Sequence, residues 1–175
     1  MKIAVTGTSS GFGKYLLDNW EGVYGVSLRE PIEEIVPLIA PADIFINHAY
    51  SNDTKQSTLF YEIFQLWEHL PKTIVNFGTA AITENETFSP LYVTNKKHLV
   101  QLASSAASSN NYKRVRVINF NPSTLENNDI FPESFNRLKF KDLFNLLKFI
   151  VELPQGVEIS DLIIKNTQRF KKTTI

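Results

Sequence analysis

The segment Thr6-Gly7-Thr8-Ser9-Ser10-Gly11-Phe12-Gly13 constrains this chain more than any other, because it joins a short apolar run to a stretch of helical period. Glycines at the exit of the first strand suit a strand–turn–helix unit that receives an anion on the helix N-terminus. A dinucleotide pyrophosphate would have to come within hydrogen-bond distance of the backbone along Thr8, Ser9, Ser10 and Phe12. Side chains on Gly7 or Gly11 would block that approach or forbid the turn. One on Gly13 would hold the helix off the sheet. A plain tight turn of small residues shows the same glycines, and the position after the first strand is what favours the cradle. The triphosphate pattern G-x-x-x-x-G-K-[ST] does not fit, since Thr8 stands where it needs glycine and Tyr15 follows Lys14.

Short apolar runs alternate with helical segments along the rest of the chain. Strands are predicted at 2–6, 23–28, 43–47, 73–77, 114–120 and 157–164. Helices are predicted from the glycine turn to about residue 20, at 31–39 with Pro31 in the first position, at 59–70, from Pro90 onward and at 140–153. Leu59, Phe60, Ile63, Phe64, Leu66, Trp67 and Leu70 share one face of the third helix, and Pro71 ends it. This alternation predicts a single α/β domain over 1–175, a Rossmann-like doubly wound parallel sheet of about six strands. Segment 121–139 is the one long irregular stretch and is expected to act as a lid. The basic tail after 164 is expected to fray.

Eighteen basic residues balance eighteen acidic ones, so no nucleic acid or membrane partner is expected. The chain has no cysteine, which excludes disulfides and thiolate metal sites. His48, His69 and His98 form no metal-ligand spacing, so no metal is expected. No signal peptide and no apolar run of roughly eighteen residues is seen, and the expected location is the cytoplasm.

Tyr92 is the one tyrosine with a lysine four residues on, Lys96, and that spacing puts both on one helix face. An ammonium beside a phenol favours the phenolate, which would fit Tyr92 for acid–base work nearer neutral pH. The pair alone describes an exposed tyrosine beside a solvated lysine equally well.

Taken together, these residues resemble the short-chain dehydrogenase/reductase family, in its compact single-domain branch. Thr6–Gly13 matches its T-G-x-x-x-G-x-G, and Tyr92–Lys96 matches its Y-x-x-x-K. Thr79 stands at a strand end where members usually carry a catalytic serine. Asn47-His48-Ala49-Tyr50 looks like a drifted N-N-A-G, the floor of the cofactor site. Asn121-Pro122-Ser123-Thr124 resembles the P-G motif, and Leu153-Pro154-Gln155-Gly156-Val157-Glu158-Ile159 resembles a C-terminal segment of some members. The resemblance implies an NAD(P)-dependent oxidoreductase acting on a small carbonyl or alcohol. Tyr92 would protonate the carbonyl oxygen, with Thr79 hydrogen-bonded to that oxygen. Lys96 would hold the nicotinamide ribose and depress the Tyr92 pKa. Asn47, His48 and Ala49 would form the floor, and Pro122 and Thr124 would border the nicotinamide.

Three departures stand out. Between Arg29 and Asp43 there is room for one helix only, so the third family strand is expected to be missing. Strand 23–28 then becomes a sheet edge, the adenine site shallow and cofactor binding weak. The family's catalytic asparagine has no match: the usual interval lands near Thr54, with Asn52 close by. Ser123 replaces a glycine, and His48 and Tyr50 alter the floor. A catalytically impaired NAD(P)-binding module, a redox sensor or scaffold, is therefore the alternative to an enzyme.

Ser27 and Arg29, at the end of the second strand, favour NADP through a 2′-phosphate. Glu30 argues for NAD, which stays open as the second cofactor. Residues 125–139, with Phe131 and Phe135, are where the family sets substrate specificity. A homodimer through helices 59–70 and 91–107 and plain packing of those helices on the sheet account equally for their apolar faces.

Overall fold

Strands that read as unbroken apolar runs must be buried on both faces, which calls for helices on either side of a parallel sheet. The computed structural model of the chain has this arrangement. It describes residues 1–82, 89–108, 114–126, 137–154, 157 and 159–165. Within them the elements run β1 (Ile3–Thr6), α1 (Gly11–Asn19), β2 (Val23–Val26), α2 (Ile32–Ile39), β3 (Ile44–Asn47) and α3 (Lys55–Trp67). They continue as β4 (Thr73–Phe77), a 3-10 turn (Ala80–Ile82), α4 (Pro90–Ser108), β5 (Arg116–Pro122), α5 (Phe140–Val151) and β6 (Asp161–Ile164). All six strands are parallel, in the order β2-β1-β3-β4-β5-β6. A single helix, α2, links β2 to β3, so β2 is the sheet edge, as the short interval after Arg29 requires.

Alternate side chains along each strand enter opposite layers. Ala4, Phe45, Ile74 and Val117 face α2, α3 and α4 in a layer that includes Ile35, Phe60, Trp67 and Leu99. Ile3, Val5, Ile46, Val75 and Ile118 face α1 and α5 in the other, with Leu16, Trp20, Leu143 and Leu147. The chain therefore carries one tryptophan on each side of the sheet. Among the described residues, no helix is long and apolar enough to cross a membrane.

Several boundaries differ from the sequence reading. Pro31 caps α2 from outside, and Ile32 is the first helical residue. Helix α3 starts at Lys55 and ends at Trp67, short of Pro71, so Leu70 lies beyond it and is 41% exposed; Leu66, within the helix, is 48% exposed instead of on the buried face. Strand β5 begins at Arg116 and takes in Asn121 and Pro122, which the sequence reading had placed in the irregular stretch. The Arg116 side chain donates to the carbonyls of Ile150, Val151 and Leu153 and so caps α5. Strand β6 covers only Asp161–Ile164. The expected lid around Phe131 and Phe135, Gln155, Gly156, Glu158 and the basic tail lie outside the described residues.

Candidate active site

In a doubly wound sheet the crevice opens at the carboxyl ends of the strands, where the strand order reverses. Here that point lies between β1 and β3. A cleft of about 1030 Å³ opens there, lined by residues that follow β1, β2, β3, β4 and β5. The Thr6 hydroxyl oxygen accepts from the backbone N–H groups of His48 (3.0 Å) and Ala49 (2.9 Å), tying the end of β1 to the exit of β3. The chain then turns through Gly7 and Gly11, at φ 77° and 58°, the left-handed region that favours glycine. A Cβ on Gly13 would run into the Gly7 carbonyl. That glycine lets α1 start directly beneath the turn. Ser10, the N-cap of α1, makes no side-chain capping bond, so the first-turn amides are left to the cleft. A buried strand exit, two left-handed glycines and an uncapped helix N-terminus fit the pyrophosphate of a dinucleotide.

Of the residues expected at the site, all but Asn47 and Gly13 line this cleft. Gly13 serves the packing just described. Asn47 is a correction: it is fully buried, and its Nδ2 donates to the Gln56 carbonyl (3.0 Å) and to Asn76 Oδ1 (3.1 Å). It braces the framework beneath the cleft floor. His48 packs edge-on against Phe77 at 5.0 Å, with Nδ1 sealed from solvent close to where side chains on Gly7 and Gly13 would stand. Burial, with some help from the Lys96 charge, pushes its pKa down to about 4, so the ring is neutral at physiological pH.

Helix α4 supplies Tyr92 and Lys96 one turn apart on the cleft side. Tyr92 shares a hydrogen bond with Thr79, which is 7% exposed in the segment after β4. Tyr50, from the loop after β3, meets the Tyr92 ring edge-on at 4.8 Å. Lys96 is 3% exposed, and its Nζ donates to the Phe77 carbonyl (2.6 Å) and to Gln56 Oε1 (3.0 Å). It lies 5.6 Å from the Tyr50 ring centre and 5.9 Å from that of Tyr92.

The electrostatics overturn one expectation. Tyr92 sits above its usual pKa, because burial outweighs the Thr79 hydrogen bond and Tyr50 adds to the rise. The expected depression by Lys96 is absent. Desolvation pushes Lys96 itself down to about 7.

Neither residue near the expected asparagine position reaches the cleft. Asn52 and Thr54 are exposed, and the polar side chain that reaches Lys96 from α3 is Gln56, which the sequence reading missed. At the far end, Ser27 and Arg29 line the cleft and Glu30 does not. Lys55 Nζ lies 3.3 Å from the Arg29 carbonyl, bringing a second cation to this end.

No family model matches the sequence, and no curated protein matches it. Solved structures do match its fold. 3-Ketoacyl-(acyl-carrier-protein) reductase from Brucella melitensis, complexed with NADH, superposes with a TM-score of 0.74 at 16% identity, covering 94% of this chain and 96% of that one. Alcohol dehydrogenase from the archaeon Thermococcus sibiricus, complexed with 5-hydroxy-NADP, gives 0.73 at 14% identity, covering 94% and 96%. Serine dehydrogenase from Escherichia coli gives 0.72 at 16%, covering 94% and 97%. A short-chain dehydrogenase/reductase from Vibrio parahaemolyticus gives 0.72 at 14%, covering 93% and 98%. At these identities the likeness establishes the fold.

Proposed function

On the short-chain dehydrogenase/reductase fold that this chain shares, we propose that it is an NAD(P)-dependent oxidoreductase that reduces a small carbonyl compound. The observation that carries the reading is the convergence of Tyr92, Thr79 and Lys96 beside the glycine turn in one cleft. A module that only bound cofactor would have no need of that trio, which favours turnover over the sensor or scaffold reading.

The turn and the N-terminus of α1 would hold the pyrophosphate. Lys96 would hold the nicotinamide ribose: two of its three donor positions are taken by Phe77 and Gln56, which leaves one for a hydroxyl. The bound cofactor supplies the hydride. Tyr92 holds the proton that passes to the carbonyl oxygen, and Thr79 orients it. Because burial keeps the phenol protonated, the site is poised for reduction at neutral pH; the reverse oxidation needs phenolate and gains from alkaline conditions. Ser27 and Arg29 support NADP, since a hydroxyl and a guanidinium at the cleft end suit a 2′-phosphate.

The test is calorimetric titration of wild type and Tyr92→Phe with NADPH and with NADH, followed by a screen of small carbonyl substrates. Both proteins are expected to bind NADPH alike and more tightly than NADH, with turnover in the variant down by about 10²-fold or more. No binding of either cofactor at millimolar concentration would remove the proposal. Equal affinities would remove only the preference for NADP.

A further inference from the structure

Helix α3 delivers a neutral amide to the one buried cation of the cleft, and its placement is over-determined. Gln56, the second residue of α3, is 4% exposed. Its Nε2 faces two carbonyl oxygens, Asn47 O at 2.8 Å and Phe77 O at 3.4 Å. An amide oxygen turned toward those two acceptors would find no hydrogen, so the amide has one satisfiable orientation and Oε1 must face Lys96 Nζ, 3.0 Å away. The Gln56 main chain is held as well, since its carbonyl accepts from Asn47 Nδ2. Gln56 thus joins the exits of β3 and β4 to α3 and reaches across to α4.

We propose that Gln56 is a positioning residue for Lys96: its amide fixes the Nζ atom toward the cleft while leaving a donor for a ligand hydroxyl. This rests on the reading of Lys96 as a cofactor-binding residue. The choice of glutamine has a chemical logic. A carboxylate at Oε1 would form an ion pair with Lys96, hold its proton and compete with the ligand for its donors. An apolar side chain would leave a buried ammonium one acceptor short. The amide orients the group without capturing it. The titratable groups that face Lys96 are Tyr92 on its own helix and Tyr50 and His48 after β3. Gln56 is the neutral polar side chain among them that bonds Nζ.

The experiment is an NMR titration of the Lys96 side chain in the full chain labelled with ¹⁵N- and ¹³C-lysine, for wild type, Gln56→Glu and Gln56→Met. Lys96→Met supplies the assignment. Gln56→Glu is expected to raise the Lys96 midpoint by about one unit or more, and Gln56→Met to lower it. Gln56→Met is also expected to weaken NADPH binding about tenfold. Gln56→Glu turns its second carboxylate oxygen toward the Asn47 and Phe77 carbonyls, so the fold of each variant is checked by circular dichroism, and Gln56→Asn, which keeps an amide but shortens its reach to Lys96, is expected to lower the midpoint as Gln56→Met does. A Lys96 midpoint that stays at its wild-type value in Gln56→Glu overturns the proposal, because a purely structural glutamine would leave it there. If no variant, nor wild type, binds NADPH, the cofactor reading falls, and the midpoint still decides what Gln56 does to Lys96.

Discussion

Lys96 is nearly fully buried with no carboxylate bonded to it among the described residues, and that placement sets a pH response. Its folded pKa, about 7, lies below the ordinary value of 10.5. Between those values the unfolded chain binds the extra proton, so stability rises as pH climbs from 7 toward 10 and is lost as pH falls back through 7. Tyr92, raised above 10, acts only beyond that window. Urea midpoints are therefore expected to increase from pH 7 to 10, and Lys96→Met should flatten that slope; a slope unchanged in the variant would contradict the buried, unpaired placement. The sequence made Tyr92 and Lys96 legible through their i, i+4 spacing, and Thr79 through its place at a strand end. For the Tyr92 pKa it gave the opposite sense, because spacing reveals neighbours and burial decides the charge. Gln56 was invisible for a related reason. A glutamine near a helix start reads as a solvated surface residue until the fold places two carbonyls and an ammonium around it.

At the scale of elements, the turn between β1 and α1 does most to shape the crevice, and Gly13 sets how closely they meet. A methyl there collides with the Gly7 carbonyl, which is backbone and cannot rotate aside. Gly13→Ala gains roughly 1 kcal/mol of helix propensity but meets an overpacking penalty of about 1–3 kcal/mol or more. The net expectation is a fall in melting temperature of about 3–6 °C, read by circular dichroism, with a displaced turn and weaker NADPH binding. An unaltered melting point would show that α1 can shift without cost. The six strands and five helices described were legible from apolar runs and helical period; the central strands β1, β3, β4 and β5, buried on both faces, leave the clearest pattern, while β2 and β6 are partly exposed. Their ends were less so. α3 reaches back to Lys55 through polar residues that carry no periodic signal, and Gln56 and Ser57 there are buried despite their polarity. Leu70 fitted the period yet ended outside it, because the chain leaves the helix at Trp67, whereas Leu66 is helical and stands on the flank of the buried face.

The described strands form one sheet that serves both layers, so the two layers are expected to unfold together. A single unfolding transition is expected, with calorimetric and van't Hoff enthalpies equal at about 120 kcal/mol for 175 residues. Two separate transitions would mean that the chain is not the single domain proposed from its sequence. That β2 is the sheet edge does not weaken this coupling, since the reversal point and both layers lie inside it. The placement of one tryptophan per layer has a further consequence. Trp67 is fully buried beneath the Lys72 ammonium, 4.6 Å from its ring centre, while Trp20 stands edge-on to Phe144 at 5.5 Å on the opposite side. The two indoles therefore sit in unlike electrical surroundings and form a built-in pair of optical reporters, one for each half of the interior. Replacing either one by phenylalanine leaves a chain whose fluorescence follows a single layer.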